Sequence, residues 1–165
     1  NGSYDISPKN LSTSSLKNFT ERLILVYTGQ TRRATEIAQS KVKNIINKKN
    51  EFKSLQDMVP ESKNYLINDD IEKFGSLMHE AWKIKRSLSP VITNNNINDL
   101  YEYGINNGAI GGKILGAGGG GFLLFVSKEG QKDSLIEKLK SHGRSIVPFN
   151  MSKTGTKIIY NEEPR

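Results

Sequence analysis

Between Gly111 and Gly121 the chain places seven glycines in eleven residues, and an unbroken apolar run, Phe122 to Val126, follows at once. Glycine loses more backbone entropy on folding than any other residue, so such a cluster needs a physical reason. Two are available: several neighbouring residues must take positive φ, or something must approach the backbone where a Cβ would stand. Phosphates satisfy both, because successive N–H groups in a loop of this kind form an anion-binding nest. A tight bulge or hinge also uses glycine, but it accounts for one or two and poorly for four in a row beside a strand. Gly116, Gly118 and Gly121 formally match G-x-G-x-x-G, yet that dinucleotide signature needs a helix to open at the third glycine, and here a strand follows. A Walker A loop is excluded too: Gly112-Lys113 is followed by Ile114, and Asn107 stands where the first glycine belongs.

The rest of the pattern places this loop in an α+β frame. Glu21–Thr28 reads as a buried strand closed by Gly29, with no regular element before it. From Thr31, a plausible N-cap, Ala34, Ile37, Ala38, Val42, Ile45 and Ile46 recur at helical spacing. Ser54–Leu66 predicts a shorter helix interrupted near Pro60. Asp69 or Asp70 caps a helix over Ile71–Leu88, whose inward face is Phe74, Leu77, Met78, Ala81, Trp82 and Leu88, and Pro90 ends it. Asn95 or Asn96 opens a helix carrying Ile97, Leu100, Tyr101 and Gly104, ending at Asn107-Gly108. After the strand Phe122–Val126 come a helix over Gln131–Ser141, with Leu135, Ile136 and Leu139 inward and Gly143 at its C-terminal cap, and two strands, Ser145–Phe149 and Thr156–Tyr160, joined at Lys153-Thr154-Gly155. Strand, helices, strand, helix, strand, strand is not the alternation of a parallel sheet. It predicts one domain over residues 1–165: a ferredoxin-like, mainly antiparallel four-stranded sheet with helices packed on one face.

Composition excludes several chemistries. There is no cysteine, hence no disulfide, thiolate zinc site, iron–sulfur cluster or cysteine nucleophile, and His79 and His142 alone cannot make a multi-histidine metal centre. No apolar run approaches the length of a membrane span and the first ten residues are polar, so a soluble, cytoplasmic protein is expected, with no membrane partner. The net charge of +7 favours an anionic partner, although the lysines are spread along the chain as on a solvated surface. The opening Asn1-Gly2-Ser3, with no methionine before Met58, suggests a piece of something longer.

Lys113-x-x-Gly-Ala-Gly-x-Gly-Gly followed by an apolar strand resembles the third motif of the GHMP small-molecule kinases, which include galactose, homoserine, mevalonate and phosphomevalonate kinases. Val26-Tyr27-Thr28-Gly29-Gln30-Thr31-Arg32-Arg33-Ala34 is similar to the strand-to-helix junction of their sugar-kinase branch. Gly108 through Phe125 is nearly word for word that of the D-glycero-D-manno-heptose 7-phosphate kinases. Val147–Phe149 and Gly155–Tyr160 fit that branch as well, so the resemblance runs from about Leu23 to Tyr160. L-fucose kinases share the junction. The resemblance implies the C-terminal half of an ATP- and Mg2+-dependent kinase acting on the anomeric hydroxyl of a heptose 7-phosphate. The N-terminal half is the missing partner: no P-x-x-x-G-L-G-S-S-A phosphate loop occurs in the sequence, so the piece alone is expected to be inactive, to bind no Mg2+ by itself, and to hold no catalytic residue. A basic ferredoxin-like nucleic-acid-binding module is the rival; with no basic pattern around Phe122 and Phe125, a nucleic-acid partner is not expected.

The resemblance makes Gly116, Ala117, Gly118, Gly119, Gly120 and Gly121 the loop that supports the ATP loop of the other half, and Thr31, Arg32 and Lys113 the substrate- or phosphate-binding candidates. Arg32, at the start of a helix, suits a sugar phosphate, and equally an inter-domain salt bridge. Thr31 caps the helix and could touch substrate. Lys113 faces the nucleotide or pairs with a carboxylate across the sheet. His79 is expected between helices, His142 as a charge favourable to a helix C-terminus, Trp82 in the core, and Asp69-Asp70 as a cap rather than a metal pair.

Overall fold

The computed structural model describes residues 11–31 and 46–152. Helix α1 (Thr13–Glu21) leads into strand β1 (Leu23–Tyr27). A 3-10 turn (Ile46–Lys48) opens α2 (Lys49–Ile67), followed by α3 (Ile71–Ser87) and α4 (Asn95–Asn106). Strands β2 (Ala109–Ile114) and β3 (Phe122–Ser127), helix α5 (Lys132–Ser141) and the two-residue strand β4 (Ser145–Ile146) complete the order. Among the described residues the four strands form one antiparallel sheet in the order β2-β3-β1-β4. This is the α+β architecture the element order predicts.

Side-chain alternation assigns the two sheet faces. Ile24, Val26, Leu123, Phe125 and Ile114 project into the main core with Trp82, Leu88, Ile92, Ile97, Leu100, Tyr101, Leu135 and Leu139. Leu23, Leu124 and Val126 project the other way, into a smaller cluster with Phe19, Ile71, Phe74 and Met78. Arg22 ties β3 to α3 at the sheet's end: its Nε donates to Ser127 O at 2.7 Å and its guanidinium pairs with Glu72.

Two glycines let α3 and α4 sit against the sheet. A Cβ on Gly111 of β2 would stand 2.0 Å from Gly75 O of α3, so helix and strand touch backbone to backbone. On Gly104 of α4 it would stand 2.3 Å from the Phe125 ring.

Several sequence expectations change. Helix α1 was not expected; Ser12 caps it by accepting from Ser15 N–H at 3.0 Å, and Phe19 packs edge-on against Phe74 at 5.2 Å. The helix over Ser54–Leu66 begins at Lys49 and runs unbroken through Pro60. Proline removes one helical N–H there, and the turns on either side still close while Phe52 and Leu55 pack on the main core. Within the glycine-rich stretch, Ala109–Ile114 is a strand, bulged between Ala109 and Gly111, where none was predicted. Helix α4 is capped by Asn94, not Asn95 or Asn96: its side chain accepts from Ile97 N–H at 3.1 Å. The strand over Ser145–Phe149 shrinks to Ser145–Ile146, since Pro148 brings no N–H to the ladder. The helix predicted from Thr31 to Ile46 falls mostly outside the described residues, and the strand Thr156–Tyr160 and the turn before it wholly so.

Candidate functional site

The loop between β2 and β3 is held by its own backbone. Leu115 N–H donates to Phe122 O at 2.9 Å and closes the hairpin. Gly116, Gly118, Gly119 and Gly121 have φ of 66°, 115°, 74° and 85°, a left-handed path that side chains rarely follow. Gly119 N–H donates to Ile92 O, and Gly121 N–H to Gln30 O, each at 2.7 Å. A Cβ on Gly118 would meet Ile92 O at 2.8 Å; on Gly120 it would meet Gln30 O at 2.7 Å. Both demands inferred from the glycine run are therefore real, and the close approach comes from the protein's own carbonyls. The nest is partly spent internally. The amides of Gly118 and Gly120 have no acceptor among the described residues.

The contact at Gln30 joins the two segments that the sequence singles out. Thr28, buried at the end of β1, donates both its N–H and its Oγ1 hydroxyl to Gly121 O, each at 2.9 Å. The Tyr-Thr-Gly junction and the glycine loop thus form one hydrogen-bonded unit. Beside it opens a polar hollow of about 650 Å³, lined by Gln30, Pro90, Thr93, Asn94, Asn95, Asn96 and Asn98. Its wall is cross-linked: Asn94 Nδ2 donates to Gln30 Oε1 at 2.8 Å, Asn96 Nδ2 to Thr28 O at 3.2 Å, and Thr93 Oγ1 to Asn98 Oδ1 at 2.7 Å. Carboxamides both donate and accept, so such a wall can meet hydroxyl groups without adding charge. On the loop's other flank, Lys85 of α3 donates Nζ to Ile114 O at 3.2 Å and Gly116 O at 2.9 Å, fixing the point where β2 turns into the loop.

Gly119 and Gly120 are buried, Ala117, Gly118 and Gly121 partly so, and Gly116 is exposed. Thr31 is exposed at the lip, one residue beyond Gln30; Arg32 lies outside the described residues. Lys113 pairs with Leu124, and alternation puts it on the sheet face away from the main core. It makes no ion pair within 4 Å among the described residues, so the expected carboxylate partner is not seen. Among the described residues no three histidine or acidic side chains converge on one point.

Away from this site, His79 does bridge helices: its Nδ1 lies 2.6 Å from the Tyr101 hydroxyl. Burial, and then Lys83, hold His79 below its ordinary pKa, so the neutral ring with Nδ1 as acceptor fits this bond. Burial likewise pushes the Tyr101 phenol up, keeping it a donor. Trp82 is 1% exposed, in the core as expected. His142 stacks on Tyr103 at 4.0 Å between centroids. Of the two aromatics on β3, Phe125 is fully buried and only Phe122 is open.

Sequence reasoning missed Lys85, Asn94 and Asn96. Lys85 read as one of a run of surface charges, since nothing local says that a helical lysine reaches a loop some thirty residues on. Asn95 or Asn96 was expected as a cap, but Asn94 holds that place, and the wall that Asn94 and Asn96 make beside the hollow has no local mark.

The antiparallel α+β sheet, with its glycine hairpin locked to the Thr28–Gln30 segment, is the architecture of a known domain family. Residues 62–145 match the family model "GHMP kinases C terminal", and the chain belongs to that family. It is 29% identical over 153 residues to a bifunctional fucokinase/GDP-fucose pyrophosphorylase of Arabidopsis thaliana, covering 89% of this chain and 14% of that one. It is 25% identical over 154 residues to the D-glycero-alpha-D-manno-heptose 7-phosphate kinase of Campylobacter jejuni, covering 92% of this chain and 45% of that one. The chain thus spans less than half the length of these curated relatives. Among solved structures, the Streptococcus pneumoniae phosphomevalonate kinase superposes with a TM-score of 0.67 at 21% identity, over 76% of this chain and 38% of that one. That likeness concerns the fold. No helix among the described residues is long and apolar enough to cross a membrane.

Proposed function

We propose that this chain is the C-terminal half of an ATP-dependent kinase that phosphorylates a sugar phosphate, with the anomeric hydroxyl of D-glycero-D-manno-heptose 7-phosphate as the leading acceptor. The observation that carries the reading is the single hydrogen-bonded unit formed by the glycine loop and the Thr28–Gln30 junction at the lip of the polar hollow. Phosphoryl transfer depends chiefly on positioning and charge neutralisation. A glycine-rich hairpin tied by its own backbone to Ile92 and Gln30 suits that task by bracing the phosphate-binding loop of an amino-terminal half. In this reading Gly116–Gly121 act indirectly, the carboxamide wall and Thr31 face the acceptor, and Arg32 and Lys113 are candidates for its phosphate or the nucleotide. In this reading magnesium enters as the ATP complex and takes its protein ligands from the other half. A second reading, L-fucose as acceptor, is favoured by the relative named a fucokinase.

The test is ADP release by the polypeptide in which this segment is joined to its amino-terminal half, with Mg-ATP and each of heptose 7-phosphate, L-fucose, galactose and mevalonate. Turnover is expected with heptose 7-phosphate first, and the 165-residue chain alone is expected to be inactive. ADP release with fucose alone would replace the first acceptor by the second. Turnover with no sugar, or activity of the isolated chain, would defeat the proposal.

A further inference from the structure

Gln30 is held at both ends before any ligand arrives. Its backbone O accepts from Gly121 N–H at 2.7 Å, and the bare Cα of Gly120 permits that approach, since a Cβ there would stand 2.7 Å from the same oxygen. The side chain is fixed from the other direction. Asn94 Oδ1 accepts from Ile97 N–H at 3.1 Å, and a backbone donor admits only one orientation of that carboxamide, so the atom Asn94 turns to Gln30 is Nδ2. Its bond of 2.8 Å therefore falls on Gln30 Oε1 and leaves Nε2 as the free end. Nε2 has no acceptor among the described residues, and Gln30 is half-buried in the lining of the hollow rather than sealed beneath it.

Asn98, also in that lining, has the same polarity. Thr93 Oγ1 at 2.7 Å and Arg86 Nη1 at 3.3 Å both donate to its Oδ1, so its Nδ2 is left over. A carboxamide can give and accept, but in these two the oxygens are engaged and the nitrogens are not. Among the described residues no charged side chain lines the hollow. A phosphate or carboxylate would find no counter-charge there, whereas the lone pairs of neutral hydroxyl oxygens suit donors of this kind.

Resting on the kinase reading above, we propose that Gln30 determines acceptor specificity: its Nε2 donates to a hydroxyl oxygen of the sugar, with Asn98 Nδ2 as a second donor in the same hollow. The class recognised is a polyhydroxylated acceptor, not a carboxylate such as mevalonate and not a bare phosphate. Because the carbonyl of the same residue is tied to the glycine loop, one residue places the sugar relative to that loop, which is the positioning that phosphoryl transfer needs.

The test uses the polypeptide in which this segment is joined to its amino-terminal half, with glutamine labelled at its side-chain nitrogen. Binding needs no turnover. Without ATP, heptose 7-phosphate or L-fucose should shift the Gln30 Nε2 resonances saturably, and inorganic phosphate and mevalonate should leave them in place. With Mg-ATP, Gln30→Glu removes the donor while its carboxylate can still accept from Asn94. It should raise the KM of the sugar about tenfold, the loss of one hydrogen bond, with kcat little changed and the KM of ATP unmoved. Gln30→Met, which loses the Asn94 bond as well, should raise the same KM and also lower the melting temperature. A merely structural Gln30 would move the melting temperature in Gln30→Met and leave the sugar KM alone in Gln30→Glu. A sugar-induced shift without ADP release would keep Gln30 as the sugar-reading residue and defeat the kinase reading. No shift with either sugar overturns the inference whether or not ADP is released. So does a shift that inorganic phosphate reproduces, or an unchanged sugar KM in an active Gln30→Glu enzyme.

Discussion

Replacing Gly120 by alanine isolates the close approach of the loop to Gln30. Gly120 is not in the left-handed region, so the added methyl brings no torsional strain. It does arrive 2.7 Å from Gln30 O and 3.1 Å from Gln30 C, well inside van der Waals contact with backbone that cannot rotate away. Relieving it means separating the loop from the junction, which stretches the Gly121 N–H bond to the same carbonyl. Overpacking of this kind costs about 1–3 kcal/mol, and loss of one buried hydrogen bond about 1 kcal/mol more. Less about 0.4–1 kcal/mol from the stiffer unfolded chain, the expected destabilisation is about 1–3.5 kcal/mol. Gly116→Ala is the internal control: φ is 66° but nothing lies within 4 Å of the new methyl. Left-handed strain of about 1–2 kcal/mol, less about 0.4–1 kcal/mol from the stiffer unfolded chain, leaves about 1 kcal/mol or less. Urea unfolding followed by the fluorescence of the sole tryptophan, Trp82, reads both variants. If Gly120→Ala unfolds within about 0.5 kcal/mol of the parent, a tenth or less of an ordinary domain's stability, or if Gly116→Ala costs as much as Gly120→Ala, the argument from proximity is wrong.

Two further outcomes follow from the geometry. Gly111→Ala would put a methyl 2.0 Å from Gly75 O, forcing α3 off β2, and should cost about 3 kcal/mol or more or prevent soluble expression; Gly130→Ala, with open space at φ 67°, is the matched comparison, and similar midpoints for the two would contradict the helix–strand contact. His79 is depressed below 6.5 in the folded state by burial and Lys83, so as pH falls the unfolded chain takes up the proton first. Its contribution is thus present above pH 6.5 and lost as pH falls through the lower, folded pKa. Thermal melts of His79→Gln should show a shallower loss below pH 6.5 than the parent, and identical pH profiles would remove His79 from the account.

The sequence by itself determined the fold class and singled out the glycine loop and the Thr28–Gln30 segment that the fold then joins. Local patterns sufficed wherever the information is local. The apolar run of β1 and the 3.6-residue periodicity of Ile71–Leu88 are of this kind, as are the glycines whose density demanded unusual φ. Other local signals were present and unread: Ser12 ahead of Leu16 and Phe19 marks the start of α1 by the same capping logic that found Asp70. Ala109–Ile114 could not be read as a strand, because two of its six residues are glycine and lack β-propensity. What makes it a strand is β3 on one side and the bare backbone of α3 on the other.

Tertiary structure alone decided what the glycine loop touches. That Gly119 and Gly121 spend their amides on Ile92 and Gln30 depends on residues far apart in sequence meeting across the sheet's end. The partners of Lys85, Asn96 and Gln30 have the same origin. A long polar side chain carries no local mark of the carbonyl or carboxamide it will meet, because that meeting is set by how helices seat on the sheet. Composition can count the cations; only the packed chain shows that Lys85 reaches the carbonyls of Ile114 and Gly116.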